Sequence, residues 1–156
     1  MTDFVYDDDP DNQFSWQKAD PKTLTYAGGT TNGVGDYNGT GDPATLFTVT
    51  GDVIVKIIAV VTTNLAGATA TVEVGTAAVT DAILPTTLAT TLDARLIWHD
   101  AAPSDEIEAI STAKEYIITD GNDIVMETGI ANVTSGVIVF YCYWQRLSTD
   151  GQVVVA

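Results

Sequence analysis

Positively charged residues are scarce in this chain, and their scarcity excludes several kinds of partner. Of 156 residues only 6 are Lys or Arg, against 21 Asp or Glu, so the formal net charge is −15. Proteins bind the phosphate backbone of nucleic acids through Lys and Arg side chains that displace counterions, and anionic membrane surfaces attract the same cations. We therefore expect neither nucleic acid nor membrane among the partners of this protein.

Cysteine and histidine are present once each, as Cys142 and His99. A single cysteine cannot form an intramolecular disulfide, and a thiol within the apolar run 137–144 is typical of a small core residue. His99 stands in residues 97–100, IWHD, without a neighbouring Ser or Cys motif that would indicate nucleophilic catalysis. The sequence thus predicts no catalytic residue, and we expect that the protein is not an enzyme.

Motifs for metals and cofactors are also lacking. The Asp- and Asn-rich stretches 36–42 and 120–123 offer oxygen ligands, but neither has the spacing of a calcium-binding loop with its closing Glu. A phosphate-binding loop contains a Lys and follows a strongly apolar strand. The Gly-rich stretch 28–35 has neither feature. Strand alternation places Glu73 on the solvent side, which leaves a glycosidase carboxylate pair without support. We predict no metal and no cofactor.

Long apolar runs are missing too. The densest run, residues 137–144, is far shorter than the ~20 residues of a membrane-spanning helix. The first ten residues, MTDFVYDDDP, have neither the basic start nor the apolar stretch of a secretory signal, so we expect synthesis in a cytoplasm.

The composition of the chain changes near Pro43. Residues 1–43 combine an acidic cluster with a Gly-rich stretch, which is typical of an extended segment. A purely solvated tail has little use for aromatic side chains, yet six occur there. We predict an N-terminal arm, 1–43, that docks either on its own domain or on a neighbour. Its predicted partner-binding residues are Phe4, Tyr6, Phe14, Trp16, Tyr26 and Tyr37.

From residue 44 onward the composition indicates β-strands. Thr, Val and Ile dominate, and β-branched side chains pack well on a pleated surface. Turn signals such as 120–122 and 150–151 separate short candidate strands, including one at 107–111, and no segment shows the apolar stripe of a helix. Only 87–94 could instead form a helical turn. We predict an all-β domain, 44–156, folded as a jelly-roll-like β-sandwich.

Two predicted strands, 53–63 and 133–146, are apolar on both faces in their central parts. An antiparallel sheet with one face in water should alternate between apolar and polar residues. The second face therefore needs a cover, which could be the arm, a long loop or another subunit. Because an exposed apolar area of this size promotes aggregation, we predict a homo-oligomer.

Three short stretches have a residue composition similar to that of a known class of proteins. They are residues 44–53, ATLFTVTGDV; residues 74–76, VGT; and Ile97-Trp98 followed by Asp100 and Pro103. Together they resemble small structural proteins of tailed bacteriophages, in particular capsid decoration (cement) proteins. The resemblance covers about 44–103 and lies in strands rich in Thr, Ala and Val. It implies a structural virion protein, often a trimer, on the outer capsid surface. Its extended terminal arm would bind the major capsid protein and stabilise the head.

Other classes of function stay open. A carbohydrate-binding or adhesin-like module would present exposed aromatic residues beside Asp or Asn, and Trp98, His99 and Asp100 form the compact candidate. A different head or tail structural protein would have the same kind of sequence.

Overall fold

The computed structural model describes residues 15–30 and 33–156. Phe4, Tyr6 and Phe14, three of the predicted partner-binding residues, lie outside these ranges. The described strands are β1 (Gln17–Lys18), β2 (Lys22–Thr25), β3 (Ala44–Thr50), β4 (Val53–Ala66), β5 (Thr71–Thr76), β6 (Val79–Leu88), β7 (Leu96–Trp98), β8 (Ser104–Asp105), β9 (Glu115–Ile118), β10 (Ile124–Gly129), β11 (Ser135–Arg146) and β12 (Gln152–Val155). Single turns of 3-10 helix lie at Ala89–Thr91 and Ile110–Thr112. None of the helical turns among these residues approaches the length of a membrane-spanning helix.

The strands form two antiparallel sheets. The large sheet has the order β1-β11-β4-β7-β8, with β2 also paired to β11 and β9 also paired to β4. The small sheet has the order β12-β3-β10-β5-β6. Buried side chains from both sheets form one apolar core. The prediction of an all-β sandwich is confirmed.

The pairing of β4 with β11 forms the centre of the large sheet. Side chains alternate along each strand, so every second one points into the core. The ring of Phe140 on β11 meets the ring of Trp98 on β7 edge-on, with the ring centres 6.3 Å apart. The Trp98 indole N–H donates a 3.0 Å hydrogen bond to Oγ1 of Thr87, so the polar atom of this fully buried side chain is satisfied. The inward residues of the two central strands are Val53, Val55, Ile57, Ala59, Val61, Ile138, Phe140, Cys142 and Trp144.

Strands β1 and β2 belong to the predicted arm, yet both pair with β11. Leu24 and Tyr26 are buried in the core. The described part of the arm therefore lies on its own domain, which was one of the two predicted alternatives. The sequence KTLT of β2 gave no strand signal, because the strand is short and Leu24 is its one fully buried residue.

The predicted strand at 107–111 is not observed. The chain there contains the 3-10 turn at Ile110–Thr112, after a left-handed backbone at Glu106 (φ 61°). A strand needs a partner for its backbone hydrogen bonds, and this segment has none in the sheet order. Within 87–94, β6 extends to Leu88, and the expected helical turn follows at Ala89–Thr91.

Candidate functional site

The two sheets differ in what they present on the side away from the core. On the small sheet that side is mostly polar, with Thr48, Thr50, Glu73, Glu127, Gln152 and Val154. On the large sheet that side is mostly apolar along β4, β7 and β11, and we call it the outer face. The residues of the outer face are Ile54, Ile58, Val60, Ile97, Val137, Val139, Tyr141 and Tyr143, all of them half-buried.

The register between strands makes the outer face continuous. Tyr141 on β11 is directly opposite Ile58 on β4, and Val139 is directly opposite Val60. Val60 is in turn opposite Ile97 on β7. Opposed side chains of antiparallel strands contact each other, so the apolar surface runs without a break across β11, β4 and β7. The prediction that both central strands have two apolar faces agrees with this arrangement.

Two lysines lie on the outer face and contact its aromatic rings. The Nζ atom of Lys56 is 5.6 Å from the centre of the Trp16 ring and 3.4 Å from Oε1 of Glu115. The Nζ atom of Lys18 is 5.3 Å from the centre of the Tyr141 ring. Ammonium groups over aromatic faces are attracted by the ring quadrupole. The charged groups described here are two lysines and Glu115, although the chain as a whole has a net charge of −15.

The loop between β8 and β9 covers one end of the outer face. A cavity of about 80 Å³ lies beneath it, lined by Ile58 and Ile97 on the sheet side and by Ala109, Ile110 and Ala113 on the loop side. This loop is one of the three covers that the sequence predicted. It lies against Ile58 and Ile97, which line the cavity.

A polar cluster fastens this loop to β7. The Nε2 atom of His99 lies 2.9 Å from Oγ of Ser104, and the Ser104 hydroxyl donates to the Glu108 carboxylate. The Nδ1 atom of His99 lies 3.3 Å from Oδ2 of Asp100. The hydrogen bond from Ser104, followed by one from the backbone N–H of Ala109, lowers the pKa of Glu108. The Ser104 hydroxyl therefore lies between the His99 ring and the Glu108 carboxylate and links the two.

The sequence missed this cluster because its members come from three places. His99 follows β7, Ser104 begins β8, and Glu108 lies in the loop beyond it. The short pairing of β7 with β8 brings Ser104 opposite Ile97 and so close to His99. A serine five residues after the histidine, with Pro103 between them, was the available signal.

The compact carbohydrate-binding candidate is contradicted at its aromatic residue. Trp98 is fully buried and bonded to Thr87 inside the core. A buried indole cannot stack on a sugar ring, which requires an exposed aromatic face.

The other residues considered for chemistry have structural surroundings. Cys142 is buried on β11, and burial raises the pKa of its thiol to about 12. Oδ1 of Asp42 accepts the N–H of Thr128 at 2.8 Å, and Oδ1 of Asp123 accepts the N–H of Val49 at 2.9 Å. In the part of the chain that the structure describes, no group of three or more His, Cys, Asp or Glu side chains could hold a metal ion.

The structure separates the described members of the predicted partner-binding set. Trp16 is exposed on the outer face beside Lys56, and Tyr37 is exposed in the loop before β3. Tyr26 is only 3% exposed, so we reassign it from partner binding to the core. Burial raises the pKa of its hydroxyl, which has no hydrogen-bond partner among the described residues.

No family model matches the chain, and no curated protein matches it. Among solved structures, the chain is similar to a chain of the "acidic stable capsid structure of Helicobacter pylori bacteriophage KHP30". The TM-score is 0.47 at 18% sequence identity, and the match covers 91% of this chain and 100% of the other.

Proposed function

We propose that this protein is a structural virion protein of a tailed bacteriophage, specifically a decoration (cement) protein. It binds the outer surface of the major capsid lattice and stabilises the head. The contrast between the two sheets supports this proposal most directly. A protein that attaches to a shell needs one surface that contacts neighbouring proteins and another that faces water. The apolar outer face suits the first role, and the Thr- and Glu-rich side of the small sheet suits the second.

The charge of the chain fits a position outside the head. A protein of net charge −15 is repelled by DNA and by other copies of itself. Its attachment must then rest on apolar and hydrogen-bonded contacts instead of long-range attraction. Synthesis in the host cytoplasm, followed by attachment to the capsid surface, is part of the proposal.

Exposed aromatic residues of the N-terminal part are the proposed capsid contacts. Trp16 and Tyr37 are exposed in the structure. Phe4, Tyr6 and Phe14 stay in the proposed set, and they lie outside the described residues. Large aromatic anchors contribute most to protein interfaces when a partner buries them.

The test is the occupancy of this protein on particles from which it has been stripped, measured against sodium chloride. We expect occupancy to hold or rise up to moderate salt, because screening over a Debye length of about 8 Å relieves repulsion and leaves apolar contacts intact. The variant Tyr37→Ala should lower occupancy, and Thr48→Ala, an exposed change on the small sheet, should not.

Two results would contradict the proposal. A steep loss of occupancy as salt rises would show that a basic partner surface holds the protein. Density for this chain at the tail or the portal, with none on the capsid lattice, would assign it another virion position.

A further inference from the structure

His99 connects β7 to the β8–β9 loop, residues 106–114, and we propose that it acts as a pH-dependent latch for this loop. The protonated ring holds the loop over the cavity more firmly than the neutral ring does. The side chain of His99 is only 9% exposed, and it lines the cavity together with Glu108 of the loop. The latch goes beyond the proposed function, because it concerns the movement of one loop and not a contact with the capsid.

The two ring nitrogens of His99 face two different carboxylates. The Nδ1 atom lies 3.3 Å from Oδ2 of Asp100, in the segment after β7, and the Nε2 atom lies 3.3 Å from Oε2 of Glu108, in the loop. A neutral imidazole carries a hydrogen on only one nitrogen, so one of the carboxylates then faces a ring lone pair. A protonated ring presents an N–H group to both of them and places a positive charge between two negative ones.

The hydrogen bonds of the ring are incomplete on the Asp100 side. The Nδ1 atom of His99 is buried and has no hydrogen-bond partner among the described residues. A buried polar atom without a partner destabilises the arrangement that buries it. Protonation converts the approach of Asp100 into an attraction, so the charged ring gains on both of its sides when the loop is closed.

The groups around the ring leave His99 as the member that changes charge near neutral pH. Asp100 and Glu108 are the titratable groups that face it, β8 contributes the uncharged Ser104, and the neighbouring strand β4 contributes two isoleucines to the same cavity. The hydrogen bond from Ser104 is the largest cause that lowers the pKa of Glu108, and the charge of His99 also contributes. Glu108 therefore stays negative between about pH 5 and pH 8, the range in which histidine side chains ordinarily change charge.

The experiment is hydrogen–deuterium exchange of the full chain at about pH 5.5 and about pH 7.5. The intrinsic exchange rate of each amide at the same pH is divided by the measured rate, so that protection alone is compared. We expect amides of residues 106–114 to be about fivefold better protected at the lower pH, the effect of two partly exposed ion pairs. His99→Gln, which can bond to Ser104 but takes up no proton, should abolish this difference.

Two carboxylate variants provide a matched control. Glu108→Gln removes one of the charges that face the ring and should reduce the difference in protection between the two pH values. Asp105→Asn, an exposed change on β8, should leave the difference intact. Asp42→Asn should also leave it intact, because Asp42 titrates in the same pH range but lies just before β3.

Equal protection of the loop at both pH values overturns the latch, as does an undiminished difference in His99→Gln. Circular dichroism verifies that each variant folds. If His99→Gln does not fold, the two carboxylate variants decide the question. A smaller difference in Glu108→Gln than in Asp105→Asn supports the latch, and differences of equal size in these two variants overturn it.

Discussion

Glu73 on β5 and Glu127 on β10 are directly opposite each other on the side of the small sheet that points away from the core. Hydroxyl groups of Thr80 and Thr86 donate to the two carboxylate oxygens of Glu73 and satisfy them. Among the described residues, no such pair of hydroxyl groups donates to Glu127. Like charges directly opposite in a sheet repel, so this pairing opposes folding at neutral pH.

Glu127→Gln should therefore stabilise the protein at pH 7, by about 0.5 kcal/mol, the usual size of a cross-strand charge effect. The measurement is the free energy of unfolding from denaturant titration. Asp81→Asn is the control, because it removes one negative charge from an exposed position on the edge strand β6. Equal stabilisation by both variants would show that only the net charge matters.

The raised pKa of Asp42, a residue just before β3, predicts an unusual dependence of stability on pH. Burial is the main cause that raises its pKa from 3.8 to about 6, the backbone hydrogen bond from Thr128 opposes the rise, and the charges of Glu127 and Asp36 add to it. A carboxyl whose pKa is higher in the folded state favours folding when protonated. This stabilisation is complete below pH 3.8 and is lost as the pH rises through about 6.

Between about pH 4 and pH 7 the loss should amount to about 1 kcal/mol, reduced from the full shift because solvent screens a half-buried group. Asp42→Asn keeps an oxygen for the Thr128 N–H and removes the titration. The difference in unfolding free energy between the native chain and this variant, measured across that range, isolates the Asp42 contribution from the other acids. A difference that does not change with pH would refute the effect.

The sequence predicted the centre of this fold better than its edges. The β-branched residues of 53–63 identify β4 because that strand is buried between neighbours on both sides. β2 pairs with β11 at the margin of the sheet, so backbone hydrogen bonds hold it with little help from side-chain pattern. Residues 107–111 have a strand-like composition, but composition does not show whether a partner strand lies within reach.

The outer face was predictable and its covers were not. Alternation along two strands was enough to show two apolar faces, since it depends only on local geometry. Which residues cover them depends on where distant segments return. Trp16 reaches Lys56 from a distant part of the sequence, and the loop carrying Glu108 returns to His99 after the pairing of β7 with β8. The sequence left Trp98 as a candidate for an exposed aromatic residue beside His99, but the packing of the two sheets buries it.

A substitution of Thr87 tests how much the buried hydrogen bond from the Trp98 indole N–H contributes to stability. The Thr87 hydroxyl accepts from the indole N–H at 3.0 Å and donates to the carbonyl of Pro85 at 2.8 Å. Thr87→Val keeps the shape of the side chain and leaves both groups without this partner, which should cost about 1–3 kcal/mol of stability. Thr48→Val, at an exposed site, should change stability little. A cost below about 0.5 kcal/mol would mean that the indole N–H finds another acceptor.

Ser104 tests the cluster that holds the β8–β9 loop. Ser104→Ala removes the hydroxyl between His99 and Glu108, so amides of residues 106–113 should exchange with deuterium about tenfold faster, equivalent to one lost charge-assisted hydrogen bond. Amides of β4 should keep their exchange rates. Ser111→Ala, an exposed change in the same loop, serves as the control. Unchanged exchange in Ser104→Ala would show that apolar contacts over the cavity hold the loop.

Lys56 tests how the N-terminal part is fastened to the outer face. Lys56→Met keeps the aliphatic stem but removes the ammonium group that contacts the Trp16 ring and Glu115, so stability should fall by about 0.5–1 kcal/mol. Trp98 and Trp144 are buried, so quenching of tryptophan fluorescence by acrylamide reports mainly on Trp16 and should increase in this variant. The control is Lys114→Met, which changes an exposed lysine and should leave the quenching of tryptophan fluorescence unaltered. An equal rise in quenching for Lys114→Met would show that the change in net charge, and not the loss of the Lys56–Trp16 contact, causes the effect.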